Sequence, residues 1–370
     1  MTSRQFYMVF AISVITMKMQ KLACLVFSET GKDAWLMFIF YLAANLIGII
    51  ISYLIVKTFK KYTKSANYGL NFKNNNIFGK ILNLFATFYF LMHALLLYEH
   101  IQNLFTHTLF DNFSWAFFGV LLLFAVFFLS HTGIKNIARN FEIYVWLVVS
   151  SMVLIAVLGV PYTDFSGVLP FETIKISNIL SKMRFFYCWF GDFFIVLFLG
   201  RYACDIKLSK TIFVYVLSMV FVSFMVVELI GQCGEYAAVE PGMISVISEP
   251  AILGLNLGRF DWFLILFSEI GAVLSCSVYI FFSKKALCDA LPKVKPIFIE
   301  IILAIIMYYF DVFYFSDINA KIQFYFHFMN YFSIAFELIV ILFFVIWLNY
   351  KKIYKNQKIK KGKLLSEKDI

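Results

Sequence analysis

The chain has 370 residues, of which 62% are hydrophobic and only 15% charged, with a mean hydropathy of +0.83. A water-soluble domain could not hide so much apolar surface, so lipid must be the solvent. The net charge of +10 is not that of a nucleic-acid module, because the basic residues lie between apolar runs rather than on a polar face.

Apolar windows of spanning length fall near 5–27, 34–56, 81–101, 115–132, 141–160, 183–203, 211–231, 258–283, 297–315 and 324–348. Each crossing needs roughly 20 apolar residues, so the expectation is an all-α bundle of about ten transmembrane helices. Arg4 ahead of the first window is reminiscent of a signal peptide. Lys18 and Lys21 interrupt that window and no A-x-A cleavage site follows, so it reads as a retained first span. We expect a single transmembrane domain over 1–350 and a basic, unstructured tail over 351–370, composed mostly of polar residues. Ten spans divide into two sets of five, about 5–160 and 183–348. Because an odd number of crossings separates equivalent helices, the two sets run in opposite directions, the inverted-repeat pattern of transporters.

Lysine and arginine set the orientation. They collect between spans two and three (Lys57, Lys60, Lys61, Lys64, Lys73, Lys80), between four and five (Lys135, Arg139), between six and seven (Arg201, Lys207, Lys210), between eight and nine (Lys284, Lys285, Lys293, Lys295) and in the tail. Both termini are therefore expected in the cytoplasm. The opposite loops agree: 102–114 has no Lys or Arg, and 232–250 carries Glu235, Glu240 and Glu249 without a basic residue.

Charges stranded at mid-depth carry the functional signal, since each is disfavoured by roughly 2.5–3.5 kcal/mol at the centre of a span. With a rise of about 1.5 Å per residue, Lys18 lies about 20 Å into the first span, Asp192 about 14 Å into the sixth and Glu269 about 16 Å into the eighth. All three can share one level. Span one reads Met17-Lys18-Met19-Gln20-Lys21, a polar patch in mid-span. Span six reads Phe190-Gly191-Asp192, where glycine lets the backbone leave helical geometry and a carboxylate follows. Two readings stand side by side: mutual neutralisation of interior charge, or the lining of a solute or proton site. A purely structural pair is readily replaced by apolar packing, which favours the second. Glu99 and His100, Glu228 and Asp311 lie toward outer helix ends, where interfacial solvation accounts for them, and Glu337 is nearer mid-span with no partner to name. The five histidines have no metal-ligand spacing and the six cysteines no CxxC or disulfide framework, so neither a metal nor a cofactor is expected.

Short motifs along the chain carry a resemblance. They are Phe78-Gly79-Lys80 entering span three, Gly133-Ile134 through Ala138-Arg139 and Glu142 before span five, and Leu169-Pro170 before span six. Phe190-Gly191-Asp192 and Gly258-Arg259-Phe260-Asp261 follow. In order and spacing they resemble the GerB-type (GerAB-like) spore germination proteins of the amino acid–polyamine–organocation superfamily, over nearly the full length. This chain has Met17-Lys18-Met19-Gln20-Lys21 where that family usually has small residues, and Asp192 sits about one position from the family's glutamate.

The resemblance implies a LeuT-like 5+5 inverted repeat with helices one and six broken. It implies a germinant-receptor subunit of the spore inner membrane or cell membrane that recognises a small nutrient solute, working with GerA-type and GerC-type subunits. Carried onto this sequence, Lys18, Gly191 and Asp192 face the solute, while Lys18 or Lys21 with Glu269 and Ser275 take the ion or proton position. A free-standing proton-coupled amino-acid or polyamine transporter would share the same pocket. A membrane-embedded enzyme would need a nucleophile, base or metal cluster that the sequence does not display.

Overall fold

The computed structural model describes residues 1–19, 22–62, 77–106, 115–167, 176–234, 236, 247, 260–314 and 324–342, and among them every regular element is helical. Span one is two pieces. Helix α1 (Ser3–Lys18) is started by a capping box in which the Thr2 hydroxyl accepts from the Gln5 amide and the Gln5 side chain accepts from the Thr2 amide. It ends at Met19, and α2 (Leu22–Thr30) follows. Span two is α3 (Ala34–Tyr62), span three α4 (Ile77–Leu104), span four α5 (Trp115–Thr132) and span five α6 (Ile134–Gly159). Span six is again two pieces, α7 (Ile176–Met183) and α8 (Asp192–Leu199), joined by turns and a short 3-10 segment, Tyr187–Phe190. Span seven is α9 (Leu208–Cys233), span eight α10 (Phe260–Ala290) and span nine α11 (Pro296–Tyr309), which runs into a π-helical turn, Phe310–Tyr314. A second π-helical turn, Phe324–Met329, opens span ten, which continues as α12 (330–342).

The ten apolar windows thus correspond to ten spans among the described residues, two of them interrupted. Span five begins at Ile134 rather than near 141, so Lys135 and Arg139 lie in its first turns. The cause is Gly133: at φ +90° it turns the chain in a single residue, a conformation that side chains disfavour. The basic tail and the Leu169-Pro170 and Gly258-Arg259 motifs lie outside the described residues.

Spans one and eight sit at the centre. α10 packs against spans three, four and five and against α1, while α1 also packs against spans five and seven. The two broken spans cross, α1 against α8 and α2 against α7. Side chains such as Phe124, Ile143, Trp146, Phe213 and Ile305 are exposed on the outside of the bundle, where hydrocarbon would solvate them.

Span two meets α8 closely at Gly48. A Cβ added there would lie 2.8 Å from Cδ1 and 2.9 Å from Cγ of Phe193, too close for a ring held in a packed core. Gly48→Val is therefore expected to pry span two from the second half of span six and to lower stability by about 1–3 kcal/mol. Thermal unfolding in detergent, compared with the neighbouring exposed change Ile47→Val, checks this.

Candidate functional site

A helix that stops inside a membrane releases amides and carbonyls that have no water to bond. In span six, side chains from four other spans take up these groups. The Tyr41 hydroxyl (span two) donates to the Met183 carbonyl. Asn330 (span ten) donates its amide to the Phe185 carbonyl and accepts from the Cys188 amide at 2.8 Å. His93 (span three) places Nε2 2.8 Å from the Cys188 carbonyl, while its Nδ1 lies 2.8 Å from the Tyr89 carbonyl. The fourth is Lys18 of span one, whose Nζ donates to the Trp189 carbonyl at 3.3 Å.

The same ammonium lies 2.6 Å from Asp192 Oδ1, and both side chains are buried, 0% and 2% exposed. Phe190 lies below it with the ring centroid 5.1 Å from Nζ, a distance at which a cation is attracted to the ring face. The second carboxylate oxygen of Asp192 accepts from the Tyr215 hydroxyl of span seven at 3.2 Å. Position within the helices reinforces the pair. Lys18 is the last residue of α1 and Asp192 the first of α8. The cation therefore meets the negative end of one helix dipole and the carboxylate the positive end of another.

Gly191 is the joint between the 3-10 segment and α8. A Cβ there would collide with the Tyr89 hydroxyl, which is buried without a hydrogen-bond partner. Phe190 also stacks on Tyr41 at 3.7 Å between ring centroids, so aromatic rings line the break beside the charges.

Of the residues singled out from sequence, Lys18, Gly191 and Asp192 come together. Ser275 does reach span one, but through Thr16, whose hydroxyl donates to Ser275 Oγ at 3.1 Å, two residues before Lys18. Glu269 is buried on the same helix, with Oε2 lacking a hydrogen-bond partner, and the bonds of Lys18 go to Asp192 and Trp189 instead. Lys21 lies outside the described residues.

Sequence reading missed His93 and Asn330, which act on backbone rather than on charge. It missed the partner of Glu337, which accepts from the Tyr187 hydroxyl. It also placed Glu99, Glu228 and Asp311 at a solvated interface. The structure corrects this: all three are buried, Glu228 and Asp311 completely. Neighbouring helices extend past the apolar windows and cover them, which a window-by-window reading does not register. Among the described residues no three His, Cys, Asp or Glu side chains converge as a metal site would require.

Two opposed ties hold the breaks. At the end of the bundle nearest the N-terminus, Gln5 donates to Glu142 at 2.9 Å, Arg4 lies 3.8 Å from the same carboxylate, and the Cys204 amide donates to the Met1 carbonyl. At the other end, Lys182 of α7 pairs with Glu29 of α2 at 2.5 Å.

Comparison with known proteins gives two findings. A family model described as "Spore germination protein" matches residues 1–321. Among solved structures, that of MhsT in complex with L-phenylalanine superposes with a TM-score of 0.62 at 15% identity, covering 92% of this chain and 88% of that one; the likeness is one of fold, and the fold is LeuT-like. No curated protein sequence matches the chain.

Removing Asn330 strands two buried backbone groups. Asn330→Ala is expected to destabilise the protein by roughly 1–3 kcal/mol for each unsatisfied group. Asn330→Asp, which keeps the acceptor for Cys188 but buries a carboxyl group against the Phe185 carbonyl, is expected to be no more stable than Asn330→Ala. Melting temperatures of the three proteins in one detergent check the order.

Proposed function

The chain belongs to the spore germination protein family, and from that membership we propose that it is the permease-like subunit of a germinant receptor, recognising a small nutrient solute where spans one and six break. The coarser function follows from family and fold: an integral membrane permease for small solutes. The observation that carries the finer reading is the Lys18–Asp192 pair, which places one charge of each sign at the joint of two interrupted helices.

In this reading the pair is a charge-balanced latch. A solute bearing an ammonium, a carboxylate or both exchanges with one member, and the other is left to find a new partner. Losing one member alone costs about 3–5 kcal/mol in a buried setting, so the broken helices must rearrange as the solute binds. Lys18 supplies a fixed positive charge at the joint, standing where a mobile cation would otherwise be needed. Glu269 and Ser275 on span eight are proposed as the group that shares ion or proton occupancy with it, and Lys21 belongs to the same proposal.

The receptor assignment brings further proposals. The subunit works with GerA-type and GerC-type partners in the spore inner membrane. Both termini face the cytoplasm, a reading supported by the distribution of Lys and Arg, and the tie between Arg4, Gln5 and Glu142 then closes the cytoplasmic end.

Two experiments test this. A deletion strain is expected to lose the germination response to one nutrient while keeping responses to others, and uptake of that nutrient into vesicles holding the isolated chain is expected to be absent. Rapid accumulation in the vesicles would replace the receptor reading with that of a free-standing transporter.

A double substitution separates latch from scaffold. Lys18→Met alone, which strands Asp192, is expected to lower stability by roughly 3–5 kcal/mol, and Lys18→Met with Asp192→Leu to recover most of that loss. The double variant is expected to stay silent to the nutrient although folded. A folded double variant with a normal germination response would remove the pair from recognition.

A further inference from the structure

Spans five and seven run parallel, and their C-terminal ends, Gly159 and Cys233, meet at the end of the bundle away from the N-terminus. There Glu228 and Gln232 stand one turn apart on span seven. Glu228 is completely buried, and neither of its carboxylate oxygens has a hydrogen-bond partner. Gln232 faces the end of span five: its Nε2 donates to the Gly159 carbonyl at 3.0 Å and lies 3.4 Å from Thr163 Oγ1. Those two contacts use both amide hydrogens, so the amide must present its oxygen to whatever remains, and that oxygen is also buried without a partner.

Gly159 makes the arrangement possible. A Cβ at that position would lie 2.9 Å from Gln232 Nε2, 3.6 Å from Glu228 Oε1 and 2.7 Å from Ile247, which covers the group. Three oxygens on one face of span seven, both of Glu228 and that of Gln232 a turn later, are thus buried without a donor. An ionised carboxylate held this way is strongly disfavoured without a counter-charge. Among the described residues no Lys or Arg pairs with Glu228, and the sequence from 232 to 258 contains neither.

The surroundings add negative potential. Each helix C-terminus carries about half an elementary negative charge, and two of them end here. An acceptor-only set of carboxylate and amide oxygens suits a hard cation. The charge count selects among such ions: divalent sites recruit several carboxylates, whereas Glu228 is the one buried carboxylate among the described residues at this junction, the neighbouring Asp164 being exposed and bonded to Ser166. The Glu228 side chain has no surface open to solvent, which suits a bare ion better than an organic amine.

We propose that the side-chain oxygens of Glu228 and Gln232 bind a monovalent alkali cation at the C-terminal ends of spans five and seven. The site is separate from the Lys18–Asp192 pair, which lies on spans one and six. Its occupancy would fasten the ends of two spans from opposite halves of the bundle.

The test uses the full-length purified chain in lipid nanodiscs, with thermal unfolding followed by tryptophan fluorescence in NaCl, KCl or choline chloride at equal ionic strength and fixed pH. Because a ligand bound only to the folded state stabilises it by mass action, the parent protein is expected to melt several degrees higher in one of the alkali salts than in choline, saturably. Glu228→Gln is expected to abolish the rise while melting in choline close to the parent. Glu228→Asp, which keeps the charge but shortens its reach, is expected to raise the half-saturating salt concentration, and it serves if the glutamine variant fails to fold. Identical melting of the parent in all three salts would overturn the proposal, as would a salt-dependent rise that survives in Glu228→Gln. When the series is repeated at a second pH, melting that moves with pH but not with the salt, an effect lost in Glu228→Gln, would likewise overturn it and identify a protonated acid instead.

Discussion

Backbone that leaves a helix inside hydrocarbon must find partners within the protein, and everything around span six is arranged by that demand. The carbonyls of Met183, Phe185, Cys188 and Trp189 and the amide of Cys188 are each met by a side chain from another span. One of these donors is an ammonium, and its presence calls for a carboxylate in turn. Lys18 therefore ties two requirements together, satisfying a released carbonyl and balancing Asp192. The charges and the break in the helix are one structural solution, in which neither is comfortable without the other.

This arrangement explains why the centre of the bundle tolerates so many polar groups. Span eight brings Ser275 against Thr16, and Gly271 lets spans one, five and eight approach: a Cβ there would lie 2.9 Å from Val148 and 3.0 Å from Ile12. The polar contacts lie where helices are already pressed together, so their geometry is fixed by packing rather than by the charges themselves. At one end of the molecule the N-terminal turn is tied to span five. At the opposite end a lysine and a glutamate join the outer pieces of the broken spans.

Much of the architecture was legible because hydrocarbon imposes a length on every crossing. The windows for spans four and nine match the helices almost residue for residue, 115–132 against Trp115–Thr132 and 297–315 against the segment from Pro296 to Tyr314. The break in span six was legible in Gly191-Asp192, since a flexible residue followed by a charge has no other reason to lie at mid-depth. Lys18 and Asp192 were legible as charges able to neutralise each other, but the choice of Asp192 over Glu269 was not, because pairing across 174 positions is a property of the fold. His93 and Asn330 were not legible at all: each is an ordinary polar residue on an apolar helix until the carbonyl or amide it serves is brought beside it. Glu228 and Asp311 were misread for a related reason, since distance from a helix end measures depth along one span and not the cover given by its neighbours.

The joint at Gly133 has a mechanical meaning. Span four ends at Thr132 and span five begins at Ile134, so a lone residue separates two antiparallel rods that also touch along their sides. Such an elbow has no slack. If the bundle rocks when a solute enters or leaves, these two rods must swing as one piece, like the arms of a set square. The give has to come from other joints, such as the interruptions between α1 and α2 and between α7 and α8.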